Sequence, residues 1–251
     1  MESSTITKTY LAIRDLLAER IDKDIYCENQ KLPSERVLAE ELKTTRLTLR
    51  DALSQLETEG RVFRMDRRGW FVAGRRLVFN PVLDKGFMTN VSDQGMVPKT
   101  ELILLNECQA SRRIADALRV PAGAGLYHMR RRRSINDRPV LIEDIYLEKS
   151  RYPGLQHVNL NGSLSLVLRD VYDVRVAYSD IAITPAAFDS HQAKLLNVSP
   201  GAPSIMINRT SYDEQKRIVE FDQEYWVSDM LQFKMKTQPE SATITRDGAG
   251  C

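Results

Sequence analysis

Two arginines and a glutamate on neighbouring predicted strands carry the pattern that most suggests ligand chemistry. Arg131 and Arg133 share strand parity with the apolar residues of the run 125–135, and Glu143 does the same in the run 139–147. Alternate residues of a strand lie on one face, so all three charges are predicted to point to the apolar side of a sheet. A buried charge without a partner costs several kcal/mol. The three residues therefore form either an internal ion pair or an anion pocket.

In the pocket interpretation, Arg131 and Arg133 hold a phosphate, phosphonate or carboxylate through their planar guanidinium groups, and Glu143 takes a donor group of the same ligand. Two hydroxyl groups are candidates for that pocket. Tyr225 shares parity with the apolar residues of the run 218–227, and Ser163 begins a predicted helix whose first N–H groups could hold an anion. A core tyrosine and an ordinary helix N-cap are the structural alternatives.

These residues lie in a region of alternating strand-like and helical runs. Strands are predicted at 100–106, 125–135, 139–147, 175–184, 203–212 and 218–227, and helices at 111–118, 164–171 and 190–196. This order predicts an α+β domain on a largely antiparallel sheet, spanning residues 88–236. Residues 75–87 lack a clear period and are predicted to be a linker, and residues 237–251 are expected to be a disordered tail.

Residues 1–74 predict three helices and a hairpin. The first helix is expected at 6–23, the second starts after Ser34 and ends near Glu41, and the third starts after Thr45 and ends near Gly60. Core positions of the third helix are predicted at Leu49, Leu53, Leu56 and also Leu47, and its exposed side at Arg46, Thr48 and Arg50. Two short helices joined by a tight turn are typical of a helix-turn-helix whose second helix enters the major groove of DNA.

The hairpin has strands at 62–65 and 70–72 around a tip that contains Arg67, Arg68 and Gly69. This is the shape of a wing, and both arginines are placed to reach phosphate groups or the minor groove. Net charge is only +2 over 251 residues, but residues 43–76 carry nine Lys and Arg against four Asp and Glu. The local excess of positive charge agrees with a DNA-binding role.

Composition excludes several classes of protein. With 42% apolar and 28% charged residues, the chain is neither disordered overall nor a membrane protein, and it shows no secretory signal, so we expect a cytoplasmic location. Cys27, Cys108 and Cys251 are expected to be reduced thiols. The three histidines have no metal-ligand spacing, so neither a metal nor a cofactor is predicted.

The N-terminal residues resemble the GntR-type winged helix-turn-helix regulators. The matching runs are Leu32-Pro33-Ser34-Glu35-Arg36, Thr45-Arg46-Leu47-Thr48-Leu49-Arg50-Asp51-Ala52-Leu53 and Arg68-Gly69-Trp70-Phe71-Val72. The resemblance implies DNA contacts by Arg36, Arg46 and Gly69, with Arg50 and Thr48 at positions that commonly touch bases or phosphates. The usual wing is Gly-x-Gly-Thr-Phe-Val, and here Arg67 and Trp70 replace its first glycine and its threonine. One monomer with so few contacts would bind weakly and with low specificity, so we expect a dimer that reads an inverted repeat.

The C-terminal residues resemble the effector-binding (UTRA) domain of the HutC branch, which is similar in fold to chorismate lyase. The matching features are Gly95-Met96-Val97-Pro98, Arg131-x-Arg133, Asn136-Asp137-Arg138-Pro139 with Glu143, Gly162-Ser163-Leu164 and Glu224-Tyr225. The resemblance implies that Arg131, Arg133 and Ser163 hold a phosphate group, and that Glu143 and Tyr225 contact the rest of the ligand. Thr89 is a further candidate, since the family has Ser or Thr close after the phenylalanine that corresponds to Phe87.

Three runs are more specific: Asp66-Arg67-Arg68-Gly69-Trp70-Phe71-Val72, Leu160-Asn161-Gly162-Ser163-Leu164 and Glu224-Tyr225-Trp226. In these runs the chain resembles the regulators of 2-aminoethylphosphonate use within that branch. The resemblance implies a repressor whose ligand, a small anionic effector, changes operator affinity. A sugar phosphate would suit the same residues. Two further alternatives are an enzyme that uses the chorismate-lyase-like domain and a constitutive DNA-binding protein whose C-terminal domain only dimerises. No catalytic residues are predicted.

Overall fold

The computed structural model describes residues 9–83 and 85–236. Its N-terminal region contains three helices, α1 (Tyr10–Asp22), α2 (Glu35–Glu41) and α3 (Arg46–Thr58), followed by a hairpin of β1 (Val62–Met65) and β2 (Gly69–Val72). The side chains of Thr9, Ser34 and Thr45 each accept a hydrogen bond from a backbone N–H in the first turn of the helix that follows. These caps satisfy donors that a helix start leaves open, which is why each helix begins where it does.

The three helices and the hairpin enclose one apolar core. Leu49, Leu53 and Leu56 of α3 are fully buried in it, but Leu47 is 72% exposed. The prediction that Leu47 faces the core is wrong, because residues two apart lie about 200° from each other around a helix. Leu47 therefore lies on the side opposite Leu49.

The C-terminal region is built on a six-stranded antiparallel sheet in the order β4-β5-β6-β9-β8-β7. Its strands are β4 (Pro98–Gln109), β5 (Gly125–Ile135), β6 (Arg138–Glu148), β7 (Tyr178–Ala187), β8 (Pro203–Tyr212) and β9 (Ile218–Val227). Its helices are α4 (Phe87–Asp93), α5 (Arg112–Leu118), α6 (Leu164–Tyr172) and α7 (Ser190–Leu196), with short 3-10 turns at Lys149–Arg151, Leu155–His157 and Ser228–Met230. The α+β architecture predicted from the sequence is confirmed.

The register of the central strands decides which side chains share a face. Arg131 lies opposite Glu143, which lies opposite Glu224, and in the neighbouring row Arg133 lies opposite Leu141. Helix α6 packs on this face through Leu164 and Leu168. Helices α5 and α7 pack on the other face of the sheet.

Residues 75–87, predicted to be a linker, contain the strand β3 (Leu77–Phe79). This strand pairs in parallel with β10 (Leu231–Phe233) near the end of the described chain. Its partner lies about 150 residues away in sequence, so no local pattern could have revealed it. The N-terminal region is thus followed almost at once by an element of the second domain.

The two regions also touch directly. The guanidinium carbon of Arg138 lies 3.4 Å from the ring centroid of Phe63 in β1, and the N–H of Asp66 donates to the carbonyl of Asn197 at 2.8 Å. Arg76 donates through Nε to the carbonyl of Asp229 at 3.2 Å. No helix within the described residues is long and apolar enough to cross a membrane.

Candidate functional site

A cavity of about 80 Å³ lies on the face of the sheet that α6 covers. It is lined by Leu77 and Phe79 of β3, by Phe87, Met88 and Asn90 of α4, by Ser163, and by charged or aromatic side chains of the sheet: Arg131, Arg133, Glu143, Arg209, Glu220, Asp222, Glu224 and Trp226. Four of the six residues predicted for an anion pocket, Arg131, Arg133, Glu143 and Ser163, meet here. The other two, Tyr225 and Thr89, do not line the cavity.

Arg131, Arg133 and Glu143 form a buried ion cluster in the cavity wall. Arg131 donates from Nε to Glu143 and from Nη1 to the carbonyl of Gly162 at 3.1 Å, and Arg133 Nη2 lies 2.8 Å from Glu143 Oε1. Burial favours a higher pKa for Glu143, but the two guanidinium groups outweigh it and hold that pKa below its ordinary value. The carboxylate is therefore ionised, and the cluster carries one net positive charge.

The internal ion pair and the anion pocket, alternatives at the sequence level, are thus compatible. Glu143 neutralises one of the two arginines, and both guanidinium groups still line the cavity. The net positive charge of the cluster suits one anionic group. Burial lowers the pKa of Arg131, and an anion would offset that cost.

Ser163 lies at the first turn of α6, where an ordinary N-cap was the structural alternative. Its side chain makes no capping hydrogen bond to the helix. The serine lines the cavity beside Arg131, whose Nη1 contacts the preceding residue, Gly162. Its hydroxyl is therefore placed to serve a ligand rather than the helix.

The inward direction predicted for Tyr225 is wrong. Tyr225 lies opposite Ile142 in the register, whereas its neighbours Glu224 and Trp226 lie opposite Glu143 and Leu141 and line the cavity. Parity failed here because β9 is buried on both faces, so the apolar residues did not mark the cavity side. Tyr225 packs on the far face, where burial raises the pKa of its hydroxyl.

Thr89 is exposed on α4, and the cavity is lined instead by the residues on either side of it, Met88 and Asn90. Successive helical residues point about 100° apart, so a shift of one position turns a side chain away from the cavity. Thr89 therefore has no contact that would support ligand binding.

Sequence reasoning missed a second polar group in the cavity, formed by β8 and β9. Arg209 donates through Nε to Glu224 Oε1 at 3.2 Å, and the indole of Trp226 donates to Glu224 Oε2 at 2.7 Å. Asp222 lies on the same face two residues before Glu224. The alternation of acidic residues at 220, 222 and 224 in an otherwise strand-like run was the signal available in the sequence.

The arginines of opposite parity lie on the far face of the sheet and have structural partners. Arg130 donates from Nε and Nη2 to the two oxygens of Asp144 at 2.8 and 2.9 Å, and Arg132 donates to Glu101 at 2.9 Å. His128 Nε2 also lies 2.6 Å from Asp144. Within the described residues no group of histidine, cysteine and acidic side chains is arranged to hold a metal ion.

A second candidate surface lies on the N-terminal region, between the start of α3 and the hairpin tip. Arg36, Arg46, Arg67, Arg68 and Gly69 line one shallow groove of about 410 Å³. Arg67 is 93% exposed at the tip, and within the described residues Arg46 has no carboxylate partner. Gly69 has a φ of +97°, a backbone conformation that only glycine adopts readily.

Glu35 joins the two sides of this groove. Its carboxylate accepts from Arg50 Nε of α3 at 2.6 Å and from the indole of Trp70 in β2 at 3.1 Å. Trp70, which replaces the threonine usual in GntR-type wings, therefore fixes the hairpin to the helix pair. Arg50 is partly engaged by this contact, and the hydroxyl of Thr48 lies 2.9 Å from that of Thr45.

Comparison with known proteins assigns the two regions. Residues 9–72 match the model of the bacterial regulatory proteins of the gntR family, and residues 93–232 match the UTRA domain. The HTH-type transcriptional regulator YihL of Escherichia coli K12 is 32% identical over 197 residues, which cover 78% of this chain and 84% of YihL. The chain belongs to the GntR family.

Two further comparisons agree with this assignment. The probable fructoselysine utilization operon repressor of E. coli K12 is 26% identical over 211 residues, covering 84% of this chain and 86% of that protein. The crystal structure of PhnF from Mycobacterium smegmatis superposes with a TM-score of 0.64 at 25% identity, covering 90% of this chain and 99% of PhnF.

This GntR-family chain is a ligand-responsive, DNA-binding transcriptional regulator of the HutC type and not an enzyme, because both matched domains are regulator domains and the relatives are named as regulators. The enzyme alternative drawn from the chorismate-lyase-like fold is excluded on that ground. The cavity is lined by residues of the UTRA match together with residues from 77–90, which precede it, and the groove lies within the GntR match.

Proposed function

We propose that this regulator is a homodimeric repressor whose UTRA cavity binds a small phosphate- or phosphonate-bearing metabolite and thereby changes affinity for an inverted-repeat operator. The observation that carries the proposal is the meeting of Arg131, Arg133 and Ser163 at one buried cavity. Two guanidinium groups and a hydroxyl form the donor set that a tetrahedral oxyanion requires. Among such anions, 2-aminoethylphosphonate is favoured, and a sugar phosphate is the second candidate.

On the DNA side, Arg36, Arg46, Thr48, Arg50, Arg67, Arg68 and Gly69 form the proposed contact surface. The exposed side chain of Arg46 at the start of α3 is placed to read a base edge, and Arg67 and Arg68 at the hairpin tip are placed to contact phosphate or the minor groove. One copy makes few contacts of this kind. Two copies on a symmetric operator would roughly double the binding free energy, which supports a homodimer.

The segment between the two domains connects the cavity to the GntR domain, and we propose that it transmits the effect of the ligand. Arg76 contacts the carbonyl groups of Glu59 at the end of α3 and of Asp229, and the next residue, Leu77, lines the cavity. A ligand that moves the cavity wall therefore moves residues bonded to the GntR domain. The ligand shifts the population between two domain arrangements, of which one fits the operator.

Calorimetric titration tests the cavity. We expect 2-aminoethylphosphonate, compared with glucosamine 6-phosphate and inorganic phosphate, to bind the wild-type protein with micromolar affinity, and Arg133→Ala to abolish binding. Arg132→Ala is the matched control, because Arg132 is the adjacent arginine on the far face of the sheet and pairs with Glu101. Equal loss in both variants, or silence of all three ligands, would contradict the proposed pocket.

Thermal unfolding separates this proposal from a constitutive DNA-binding protein. A ligand present at 100 times its dissociation constant adds about 2.7 kcal/mol to the free energy of unfolding. The constitutive alternative predicts no shift with any anion. Sedimentation of the free protein and of its operator complex then tests the dimer, for which two chains per operator are expected.

A further inference from the structure

Two polar atoms at the cavity remain without a hydrogen-bond partner among the described residues. They are Nε of Arg133, a donor, and Oδ1 of Asp222, an acceptor, and both atoms are buried. Buried polar atoms are nearly always paired in folded proteins, so an unpaired donor and an unpaired acceptor at one cavity need an explanation. A ligand that carries an acceptor at one end and a donor at the other would satisfy both.

Asp222 is a buried acid with three other carboxylates around it. Its side chain lies on the cavity face of β9 and is only 7% exposed. Burial raises its pKa well above the ordinary value, the carboxylates of Glu143, Glu224 and Glu220 raise it further, and the guanidinium of Arg209 opposes them. Because burial and the neighbouring carboxylates disfavour its charged form, Asp222 is the carboxyl group that would gain most from a cation.

The other acids of the cavity are less suitable for a cation. Glu143 is flanked by the guanidinium groups of Arg131 and Arg133, so an ammonium group there would face two positive charges. Glu224 already accepts from Arg209 and from the indole of Trp226, and Glu220 accepts from the hydroxyl of Ser211 at 3.3 Å. A ligand amine therefore finds its least opposed partner at Asp222 rather than at Glu143.

The residues that would bind the two ends of such a ligand lie on different strands of the sheet. Arg131 lies on β5 and Asp222 on β9, with β6 between them. Neighbouring strands are about 4.8 Å apart, and Asp222 lies two residues along the strands from the row of Arg131, so the backbones of the two residues are about 12 Å apart. Both side chains line the cavity between them. A small molecule with its anion and its cation a few bonds apart can bridge that gap.

We infer that Asp222 is a specificity-determining residue of the cavity, and that it binds the protonated amine of an effector whose anionic group is held by Arg131 and Arg133. This inference rests on the proposed effector function and narrows it to amine-bearing phosphates, phosphonates or carboxylates. The ammonium donates to Oδ1 and compensates the negative charge of the aspartate, while the anion accepts from Arg133 Nε.

Matched ligand pairs test the inference by calorimetry. The pairs are 2-aminoethylphosphonate with ethylphosphonate, and glucosamine 6-phosphate with glucose 6-phosphate. In the wild-type protein we expect the amine-bearing member of the pair that fits to bind about tenfold tighter or more. In Asp222→Asn the preference falls to about twofold or less, while the affinity for the amine-free member is retained.

Two controls keep this experiment decisive. Glu107→Gln removes one negative charge from β4 outside the cavity, where Glu107 pairs with Lys149, and it should keep the amine preference. Asp222→Ser serves as a second variant if Asp222→Asn unfolds, and operator binding without ligand reports that the fold is intact.

The outcomes are distinguishable. If both members of a pair bind the wild-type protein equally, or if Asp222→Asn keeps the preference, Asp222 is not the amine partner, although the effector proposal stands. If none of the four compounds binds, the proposed effector class fails, and the inference fails with it.

Discussion

Arginine serves the two halves of this regulator in opposite environments. At the groove of the GntR domain, Arg46 and Arg67 are exposed and keep their full hydration until DNA arrives. In the UTRA cavity, Arg131 is 2% exposed and is held by Glu143 before any ligand arrives. Exposed arginines cost the fold nothing and gain affinity by releasing counterions from DNA. Buried arginines require a carboxylate partner, and the ligand must compete for them.

The largest expected effect of breaking this contrast is on stability. Arg131→Ala leaves Glu143 buried with one guanidinium group instead of two, and removal of one partner from a buried ion pair costs about 3–5 kcal/mol. We expect the free energy of unfolding in urea to fall by about 3 kcal/mol. Arg46→Ala, at an exposed site, should change it by less than about 0.5 kcal/mol. Equal losses in the two variants would remove the contrast.

The reverse order is expected for DNA affinity. Arg46→Ala should weaken operator binding by about 1–3 kcal/mol per half-site, or roughly fivefold to 150-fold for each, because a bidentate contact to a guanine is worth that amount. Fluorescence anisotropy at one fixed salt concentration measures the change. Arg112→Ala on α5, which also removes one exposed positive charge, is the control and should leave the affinity almost unchanged. An effect of the same size in both variants would point to net charge alone.

The pH dependence of the free energy of unfolding distinguishes two acids of the cavity, Asp222 and Glu143. The pKa of Asp222 is raised in the folded state, so the native protein resists ionisation that the unfolded chain undergoes above about pH 4, and stability is lost as the pH rises from there. Asp222→Asn removes this penalty. At pH 7 we expect the free energy of unfolding of this variant in urea to exceed that of wild type by about 1 kcal/mol. Near pH 3 we expect the two free energies to be equal.

Ionisation of Glu143 changes the stability of the fold in the opposite direction from ionisation of Asp222. Its pKa is lowered in the folded state, so its contribution is present above its ordinary pKa and is lost as the pH falls through the folded value. Glu143→Gln should therefore be less stable than wild type at neutral pH, with the difference disappearing on acidification. If the two variants shifted stability in the same direction at pH 7, the proposed charge balance of the cavity would be wrong.

The smallest expected effect is on the contact between the halves. Phe63→Leu keeps an apolar side chain in β1 but removes the ring that lies 3.4 Å from the guanidinium of Arg138. A cation–π contact between buried groups such as these is worth about 2 kcal/mol, of which we expect about 0.5–1 kcal/mol to differ between the two domain arrangements. We expect the ratio of operator affinities with and without effector to change by that amount, or about twofold to fivefold. An unchanged ratio would show that the contact does not take part in coupling.

The GntR half was predictable almost residue by residue, because local signals define it. Ser34 and Thr45 cap the helices that they are predicted to cap. The two hairpin strands form where residues with high β-propensity lie on either side of the turn that contains Arg67. Within the UTRA half, β5, β8, β9 and α7 have the predicted bounds, since turn-forming residues lie next to these runs in the sequence.

Three of the errors in the UTRA half share one cause, which is dependence on distant partners. The strand β3 forms only because residues 231–233 pair with it, and the direction of Tyr225 depended on knowing which face of a doubly buried strand carries the cavity. Asp222 escaped notice partly for the same reason. Of the acids that raise its pKa, Glu220 and Glu224 are near it on β9, but Glu143 lies on β6 and comes close only in the folded sheet.

The parallel pairing of β3 with β10 fixes an order of events during protein synthesis. The GntR domain is complete once residue 72 has left the ribosome, and domains generally fold as units in the order in which they emerge. The UTRA domain cannot close until its last strand, Leu231–Phe233, has been made. Each new chain therefore has a folded GntR domain some 160 residues before its effector-binding domain is complete, so the surface proposed to contact DNA forms before the cavity does.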